Sequence, residues 1–401
     1  MAGKEFIIGA DLLYNGKSYA SSMSIVVQGN QIVEVSKKKY KSSVSGIVTP
    51  AFIDPHSHIG MERQGEPVGE SEVDDVINPF SPLHDPINSI YFDDRALKEA
   101  LDFGVLYSCV LPGSRNILGG QAKVIRNFAQ NRQSAVIRDC GFKMALGYNP
   151  RTATAWKGAR PTTRMGTCAL LENYFLEILR KEAQARIEKE KAVCNLSDHE
   201  NAQHLDLIKR AYDLALSQEQ WAVFKLLNGK TSAKVHVHKA DDALYLIDLK
   251  RRFNLNVTAE HACDIGEVEI FNALAENDIP VVYGPVGSFD YKVELKNASY
   301  KHAAALMQSK ADFGLMTDHP VILAHHLRDS LKYFLIHGML PADAISLITH
   351  KNAAILGVDD CLGAIEVGKL ASLIVWDKDV FSLGAFPLLV MAEGTIIRDR
   401  R

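Results

Sequence analysis

The 401-residue chain contains no apolar run of the roughly 18 residues that a membrane-spanning helix needs, so a membrane is not an expected partner. Its first residues, MAGKEFIIGADLLYNGK, lack the apolar core and small-residue cleavage site of a secretory signal. Cysteine is scarce: Cys109, Cys140, Cys168, Cys194, Cys263 and Cys361 are scattered, with no CxxC spacing. That distribution argues against a disulfide framework and fits reduced thiols in a cytoplasmic setting. Neither sign of charge is in useful excess. Lys and Arg number 45 against 48 Asp and Glu, for a net charge of -3, which gives no electrostatic footing for nucleic acid or an anionic surface. The phosphate-cradling patterns GxGxxG and GxxxxGK[ST] are missing, so no nucleotide cofactor site is expected. The GxSxG elbow is also missing, which removes the footing for a Ser-His-Asp hydrolase.

What is present is length and a change of texture along the chain. A chain of 401 residues exceeds one small core and allows one large domain or two to three smaller ones. Both ends read as short strands. FIIGADLLYNG and SMSIVVQGNQIVEVS alternate apolar and polar residues around turn signals at Asn15-Gly16 and Gly29-Asn30. GAIEVGKLASLIVW and LLVMAEGTII read the same way near the C-terminus. Between them, β-branched runs such as GIVTPAFID, VLYSCVLPG, LNVTAEH and DIPVVYG alternate with helical stretches such as ALKEALDFG and DALYLIDLKRRFN. That alternation predicts parallel βαβ units. The expected architecture is α/β: a (β/α)8 TIM-type barrel over residues 51–362, with a small β-sandwich domain built from residues 1–50 and 363–401. A helical insertion is expected near 150–222, where ENYFLEILRKEAQARIEKEKA and HLDLIKRAYDLALS break the alternation.

The chemistry-bearing residues fall at the ends of the predicted strands. Asp54-Pro55-His56-Ser57-His58 follows the run IVTPAFI. Residues two apart on a strand share a face, so His56 and His58 project together and can hold one divalent cation. Alone, such a pair is weak evidence. Three further clusters strengthen it: His236 and His238 form a second HxH, His261 closes LNVTAEH, and Asp318 follows GLMT. In a (β/α)8 barrel the C-terminal ends of the strands are where active sites are built.

On these residues the sequence resembles the amidohydrolase superfamily, especially its imidazolonepropionase- and prolidase-related branch. PAFIDPHSHIG is similar to the family's GxxDxHxH block, and GESEVDDVINPFSPLHDPINSIYFDD to the acidic loop after it. LPGSRNILGGQAKVIR and FKMALGYNPR also resemble that branch. ITHKNAAILGV and LGAIEVGKLASLIVWD resemble the C-terminal signature, with Ala371-Ser372 where the family has Ala-Asp. The resemblance spans nearly the whole chain. It implies metal ligation by His56 and His58 from strand 1, by His236 or His238 from strand 5, by His261 from strand 6, and by Asp318 from strand 8. His238 precedes Asp241 in an HxxE-like spacing, whereas His236 fits an HAH variant, so both stay open. Lys143 is the candidate for a carboxylated lysine bridging two ions. The implied cofactor is a divalent transition metal, foremost Zn2+ with Fe, Mn or Ni as alternatives, as one or two ions.

The implied activity is hydrolysis of a C–N bond, in a cyclic or dipeptide-like amide of a small-molecule substrate. Asp318 would act as general base and His261 as ligand or electrophile. Deamination of a cyclic amidine, or a non-catalytic scaffold on the same barrel, are the alternatives. A homo-oligomer is expected from the resemblance. Asp54 reads either as a residue orienting a ligand or as a strand-end turn residue. Glu62, Glu66 and Glu70 read as a solvated acidic loop rather than a reader of a basic group. Gly119-Gly120 reads as a tight helix-entry turn, and His84, His325, His326 and His350 as surface or helix-cap histidines.

Overall fold

The computed structural model describes residues 5–63, 65–75, 77–151, 160–196, 202–288 and 292–401. The N-terminal strands are β1 (Phe6–Tyr14), β2 (Tyr19–Gln28), β3 (Gln31–Ser36) and β4 (Val44–Pro50). The turn predicted at Asn15-Gly16 forms because the Asn15 carboxamide oxygen accepts from the backbone N–H groups of Lys17 (2.9 Å) and Ser18 (2.8 Å). Only one residue then separates β4 from β5 (Phe52–Ser57), the first strand of a second sheet. That sheet continues through β6 (Val105–Val110), β7 (Leu118–Arg126), β8 (Val136–Ala145), β9 (Ser232–Val237), β10 (Asn256–His261), β11 (Val281–Tyr283) and β12 (Phe313–Leu315). The chain returns to the first sheet with β13 (Leu373–Trp376), β14 (Pro387–Ala392) and β15 (Thr395–Asp399).

The terminal strands form one hydrogen-bonded sheet in the order β15-β14-β13-β4-β1-β2-β3. This sheet stands where the β-sandwich domain was expected, and within it β13 pairs antiparallel with β4, which joins the two chain ends edge to edge. Its two faces follow the period-2 rule. Leu373, Val375, Leu389 and Met391 pack with Ile8, Ile25 and Val48 in a core of their own. Ile374, Trp376 and Val390 point the other way and join the large core around the second sheet, where Trp376 stacks on Phe52 at 5.9 Å.

The second sheet runs in simple sequence order from β5 to β12 and is nearly closed into a barrel. It departs from an all-parallel (β/α)8 barrel at one strand: β7 is antiparallel to both β6 and β8. The reason is length. Only seven residues link β6 to β7, too few for the dozen or more of a parallel crossover. This also corrects the reading of Gly119-Gly120, which lies within β7 rather than at a helix entry. Gly120 has φ +138°, and a Cβ there would stand 2.6 Å from the carbonyl oxygen of His84. The other connections carry helices, including those over 240–253 and 268–275. In the expected insertion, helices cover Arg164–Cys194, Ala202–Asp213 and Gln218–Leu227, while 152–159 and 197–201 lie outside the described residues.

The seam between β5 and β12 decides the shape of the site. Its upper end is closed by backbone bonds, His58 N–H to the His319 carbonyl (3.0 Å) and Asp318 N–H to the His56 carbonyl (3.2 Å). Lower down, the buried carboxamide of Asn352 donates to the carbonyls of both Ile53 (2.8 Å) and Leu315 (2.9 Å), one from each strand. Gly314 makes room for it, since a Cβ there would fall 1.8 Å from the Asn352 side-chain oxygen. We expect Asn352→Ala to cost about 2–3 kcal/mol, because two buried carbonyls lose their donor. Lys351→Ala, which removes only an exposed ion pair with Asp312, should stay within about 0.5 kcal/mol. Urea unfolding midpoints of the two variants test the contrast.

Candidate metal centre

Strand parity gathers the first side chains. Asp54, His56 and His58 alternate along β5 and just beyond it, and Lys234, His236 and His238 do the same on β9; all six are buried. On β10 the alternation puts Thr258 and Glu260 on one face and would send His261 to the other. Instead His261 and Ala262 adopt left-handed backbone, φ 76° and 56°, and His261 joins the cluster. Asp318 lies just past β12 with φ 52°. Left-handed non-glycine residues carry a strain of order 1–3 kcal/mol and concentrate at functional sites.

The geometry is tight. His58 Nε2 lies 3.3 Å and His56 Nε2 3.6 Å from Asp318 Oδ1, and His261 Nδ1 lies 3.9 Å from Asp318 Oδ2. The His236, His238 and His261 rings stand 4.3–4.7 Å apart by centroid. Two sets, His236/His238/His261 and His56/His261/Asp318, each offer ligand atoms within 4.8 Å of one another. Lys143 on β8 is buried, and its Nζ stands 2.8 Å from His56 Nε2. Every residue singled out in the sequence for the site is therefore in or beside one cluster.

Anchoring explains how the rings are aimed. Nδ1 of His56 donates to Glu260 Oε2 (2.7 Å), that of His58 to the Leu111 carbonyl (2.8 Å), and that of His261 to the Gly284 carbonyl (3.1 Å). A ring held by Nδ1 presents Nε2 to the centre, the usual arrangement of a ligating histidine. Buried nitrogens without any protein partner test whether the donor set suits a cation. Among the described residues these include His261 Nε2, His236 Nδ1 and both ring nitrogens of His238. Leaving such atoms dry costs about 1–3 kcal/mol each. Imidazole nitrogens with one carboxylate are the donor set of a transition-metal site, so the residues fit a divalent ion.

Burial shapes the protonation states. Burial, with Lys143 and the neighbouring imidazoles, holds His56, His238 and His261 neutral, well below the usual histidine range. Burial and the Lys292 ammonium bring His236 down to about 4. Burial alone would raise Asp318, but His58, His56 and Lys143 beside it hold its carboxylate below the ordinary range. Burial brings Lys143 down to about 8 and Asp54 up to about 7. Asp54 accepts from the Thr317 N–H (3.2 Å) and hydroxyl, so it pins β5 to the residue before Asp318 rather than ending a turn.

Three residues of the site carried no sequence signal that was used. Glu260 was detectable by parity with Thr258, whose hydroxyl it accepts. Glu294 and Lys292 sit in the loop after β11, where no motif marks them. Glu294 Oε1 accepts from His236 Nε2 (2.9 Å) and Lys292 Nζ (2.8 Å), and lies 3.8 Å from His238 Nε2. Asp241, whose spacing after His238 resembled an HxxE pattern, lies exposed beside Arg164. Of the acidic loop, Glu66 pairs with Arg63 and Glu62 lines the cavity over the cluster, of about 260 Å3. His84, His325, His326 and His350 lie outside the cluster: His326 is exposed beside Asp329, His325 packs on Phe103, and His350 opens a helix. No helix among the described residues is long and apolar enough to cross a membrane.

The sequence pattern of the amidohydrolase family matches residues 196–397, half of the chain. The amidohydrolase tasK of Hapsidospora irregularis is 23% identical over 87% of this chain, which spans only 36% of that protein's length. The imidazolonepropionase of Acinetobacter baumannii is 24% identical, with 95% of this chain and 96% of that protein covered. Among solved structures, an amidohydrolase from Thermotoga maritima superposes with a TM-score of 0.86 at 27% identity, covering 98% of this chain and all of that one. A Xaa-Pro dipeptidase shares the fold, with a TM-score of 0.59 at 16% identity over 98% and 99% of the two chains. With the family pattern laid over β9 to β15, where His236, His238, His261 and Asp318 of the cluster lie, the chain belongs to the amidohydrolase family.

Proposed function

We propose that the protein hydrolyses a C–N bond of a small cyclic or dipeptide-like amide at this cluster. The observation that carries the proposal is the set of buried imidazole nitrogens on His238 and His261 without a hydrogen-bond partner in the protein, beside the Asp318 carboxylate. His56, His58, His261 and Asp318 would hold a divalent ion, together with His238. His238 is preferred to His236 because both its ring nitrogens are unpartnered, whereas His236 Nε2 is taken by Glu294. A divalent ion there supplies Lewis acidity and lowers the pKa of water toward ~7, making hydroxide available at neutral pH.

The chain's own groups do the rest. The Asp318 carboxylate accepts a proton from water at an Oδ atom and returns it to the leaving nitrogen. Its left-handed backbone and the Asp54–Thr317 contacts fix its position. The cavity of about 260 Å3, lined by His58, His261 and Asp318, gives a small substrate room over the cluster. Lys143, brought down to about 8, has an accessible neutral amine at physiological pH. A neutral amine adds CO2 to give a carbamate and release a proton, and a carbamate beside His56 would bridge two ions.

Three outcomes are expected. Elemental analysis of protein loaded with Zn2+ or Mn2+ should find two equivalents, none in His56→Ala/His58→Ala, and one in Lys143→Ala. Wild type that takes up no metal would overturn the reading, and a single ion in wild type would overturn the bridge. Against a panel of cyclic amides and dipeptides, Asp318→Asn should lower kcat/KM by about 100- to 10,000-fold, with metal content measured alongside to separate base from ligand. In metal-free protein, stability should fall as pH falls from about 6.5 to about 4. Through that window the unfolded chain protonates His56, His236, His238 and His261, while the folded chain keeps them neutral. Asp54, raised to about 7, and Glu260 and Asp242, raised by burial, work in the opposite sense, while His319, brought down to about 3, adds to the histidine side. Urea midpoints at about pH 7 and about pH 5 would read the slope.

A further inference from the structure

Outside the metal centre, the described residues hold a second buried cluster that the hydrolytic reading does not use. Cys109 on β6 and Cys140 on β8 bring their sulfurs to 3.2 Å, closer than ordinary sulfur contact, although β7 separates their strands. The approach comes from an irregularity in β8. Gln121 pairs with Phe142 and Lys123 with Asp139, so Cys140 and Gly141 together face the single residue Ala122. This two-against-one count is a β-bulge, which bends its strand and re-aims a side chain. Gly141 permits it with φ +102°, and a Cβ there would meet the Ser232 carbonyl oxygen at 2.0 Å.

Cys109 is fully buried, but Cys140 keeps 8% exposure and borders a cavity of about 390 Å3. That cavity lies at the barrel end opposite the metal centre, walled by Gly229, Lys230, Ser232 and Asn256, where β9 and β10 begin. Cys140 is therefore the member of the pair that a cavity approaches, from the side away from the hydrolytic site. Either sulfur can donate to the other, and a hydrogen bond from Cys109, with the buried Lys234 ammonium, draws Cys140 below the usual thiol range. Burial pushes Cys109 the other way. Cys140, which borders the cavity, is the sulfur placed to attack, and the fully buried Cys109 behind it the one placed to resolve.

We propose that Cys109 and Cys140 form a redox-modification site, closing to an intramolecular disulfide on exposure to a small hydroperoxide. The Cys140 sulfur attacks the terminal peroxide oxygen, the O–O bond breaks, and the alkoxide or hydroxide leaves and takes a proton. The Cys109 sulfur then attacks the sulfur of the resulting Cys140 sulfenic acid; the S–O bond breaks as the S–S bond forms, and the hydroxide leaves with the Cys109 proton as water. In sum, two thiols and one hydroperoxide give one disulfide, one alcohol or water, and one further water. Because β7 lies between the strands, closing the sulfurs to bonding distance draws on the slack of the bulge. Exchange with a small dithiol returns the disulfide to two thiols. Cys140 lies three residues before Lys143 on the same strand, which ties the pair mechanically to the metal centre.

The test is a peptide map of full-length Cys194→Ser protein, which lacks the exposed thiol that would cross-link molecules. The protein is treated with hydrogen peroxide, denatured, alkylated and digested without reductant. The expected product is a peptide spanning Cys109 joined to one spanning Cys140, lighter by two hydrogens and released by dithiothreitol. In Cys109→Ser the same treatment should leave a Cys140 sulfenic acid, trapped by dimedone. Recovery of both cysteines as free alkylated thiols, or of Cys140 as sulfinic acid without the linked peptide, would overturn the proposal. The readout needs no hydrolytic activity, so failure of the amidohydrolase reading and failure of this one are distinguishable, and the map of the parent protein decides it even if the serine variant does not fold.

Discussion

The seam where the barrel closes is the constraint on which the rest of the structure depends. Asp318 and the first histidine pair lie some 260 positions apart in sequence, and no local preference brings them together. The backbone bonds across the seam, His58 to His319 and Asp318 to His56, do so directly. The same contacts carry both the shape and the chemistry, because the bonded residues are the proposed ligands and their immediate neighbours. Asn352 and Gly314 secure the lower end of that seam, and Asp54 and Thr317 the level just beneath the histidines. Each is a buried polar group whose partners are supplied by the opposite strand, so the interactions that close the barrel also set the spacing of the ligand atoms.

A buried cluster of this polarity is costly, and the structure offsets the cost in layers. Lys143, Lys234 and Lys292 place three cationic side chains among the carboxylates of Glu260, Glu294 and Asp318. Isolated buried charges of either sign cost several kcal/mol each after relaxation. The imidazoles respond differently, by staying neutral. That is the form in which a histidine ligates, so the desolvation that penalises charge here also prepares the ligand set. The nitrogens left without protein partners are the part of the cost that the protein does not offset by itself.

Strand-end placement of His56, His58, His236, His238, His261 and Asp318 was legible because each follows a short β-branched run, and a pattern local to six or seven residues survives in sequence. Lys143 was legible for the same reason. The antiparallel β7 was not read as such, since its glycine pair looked like a helix entry; the close pass of the His84 backbone over Gly120 is a contact between distant segments. Glu294 and Lys292 were invisible because they stand in a loop whose course is set by packing on β11 and not by periodicity. Asp241 was misleading: its spacing from His238 matched a pattern, yet the helix beginning at Ala240 turns its carboxylate outward to Arg164.

By itself the sequence determined the alternation of strands and helices, the joining of both chain ends in a separate sheet, and which residues could ligate or carry protons. These follow from periodicity and side-chain chemistry, which act over a few residues. The tertiary structure alone decided which of those residues meet: that His261 turns inward against its strand parity, that Glu294 engages His236 and leaves His238 unpartnered, and that two cysteines 31 positions apart touch across an intervening strand. Those outcomes depend on backbone dihedrals and inter-strand register, which are fixed only when the barrel closes and the whole chain shares one solution to the burial of its polar groups.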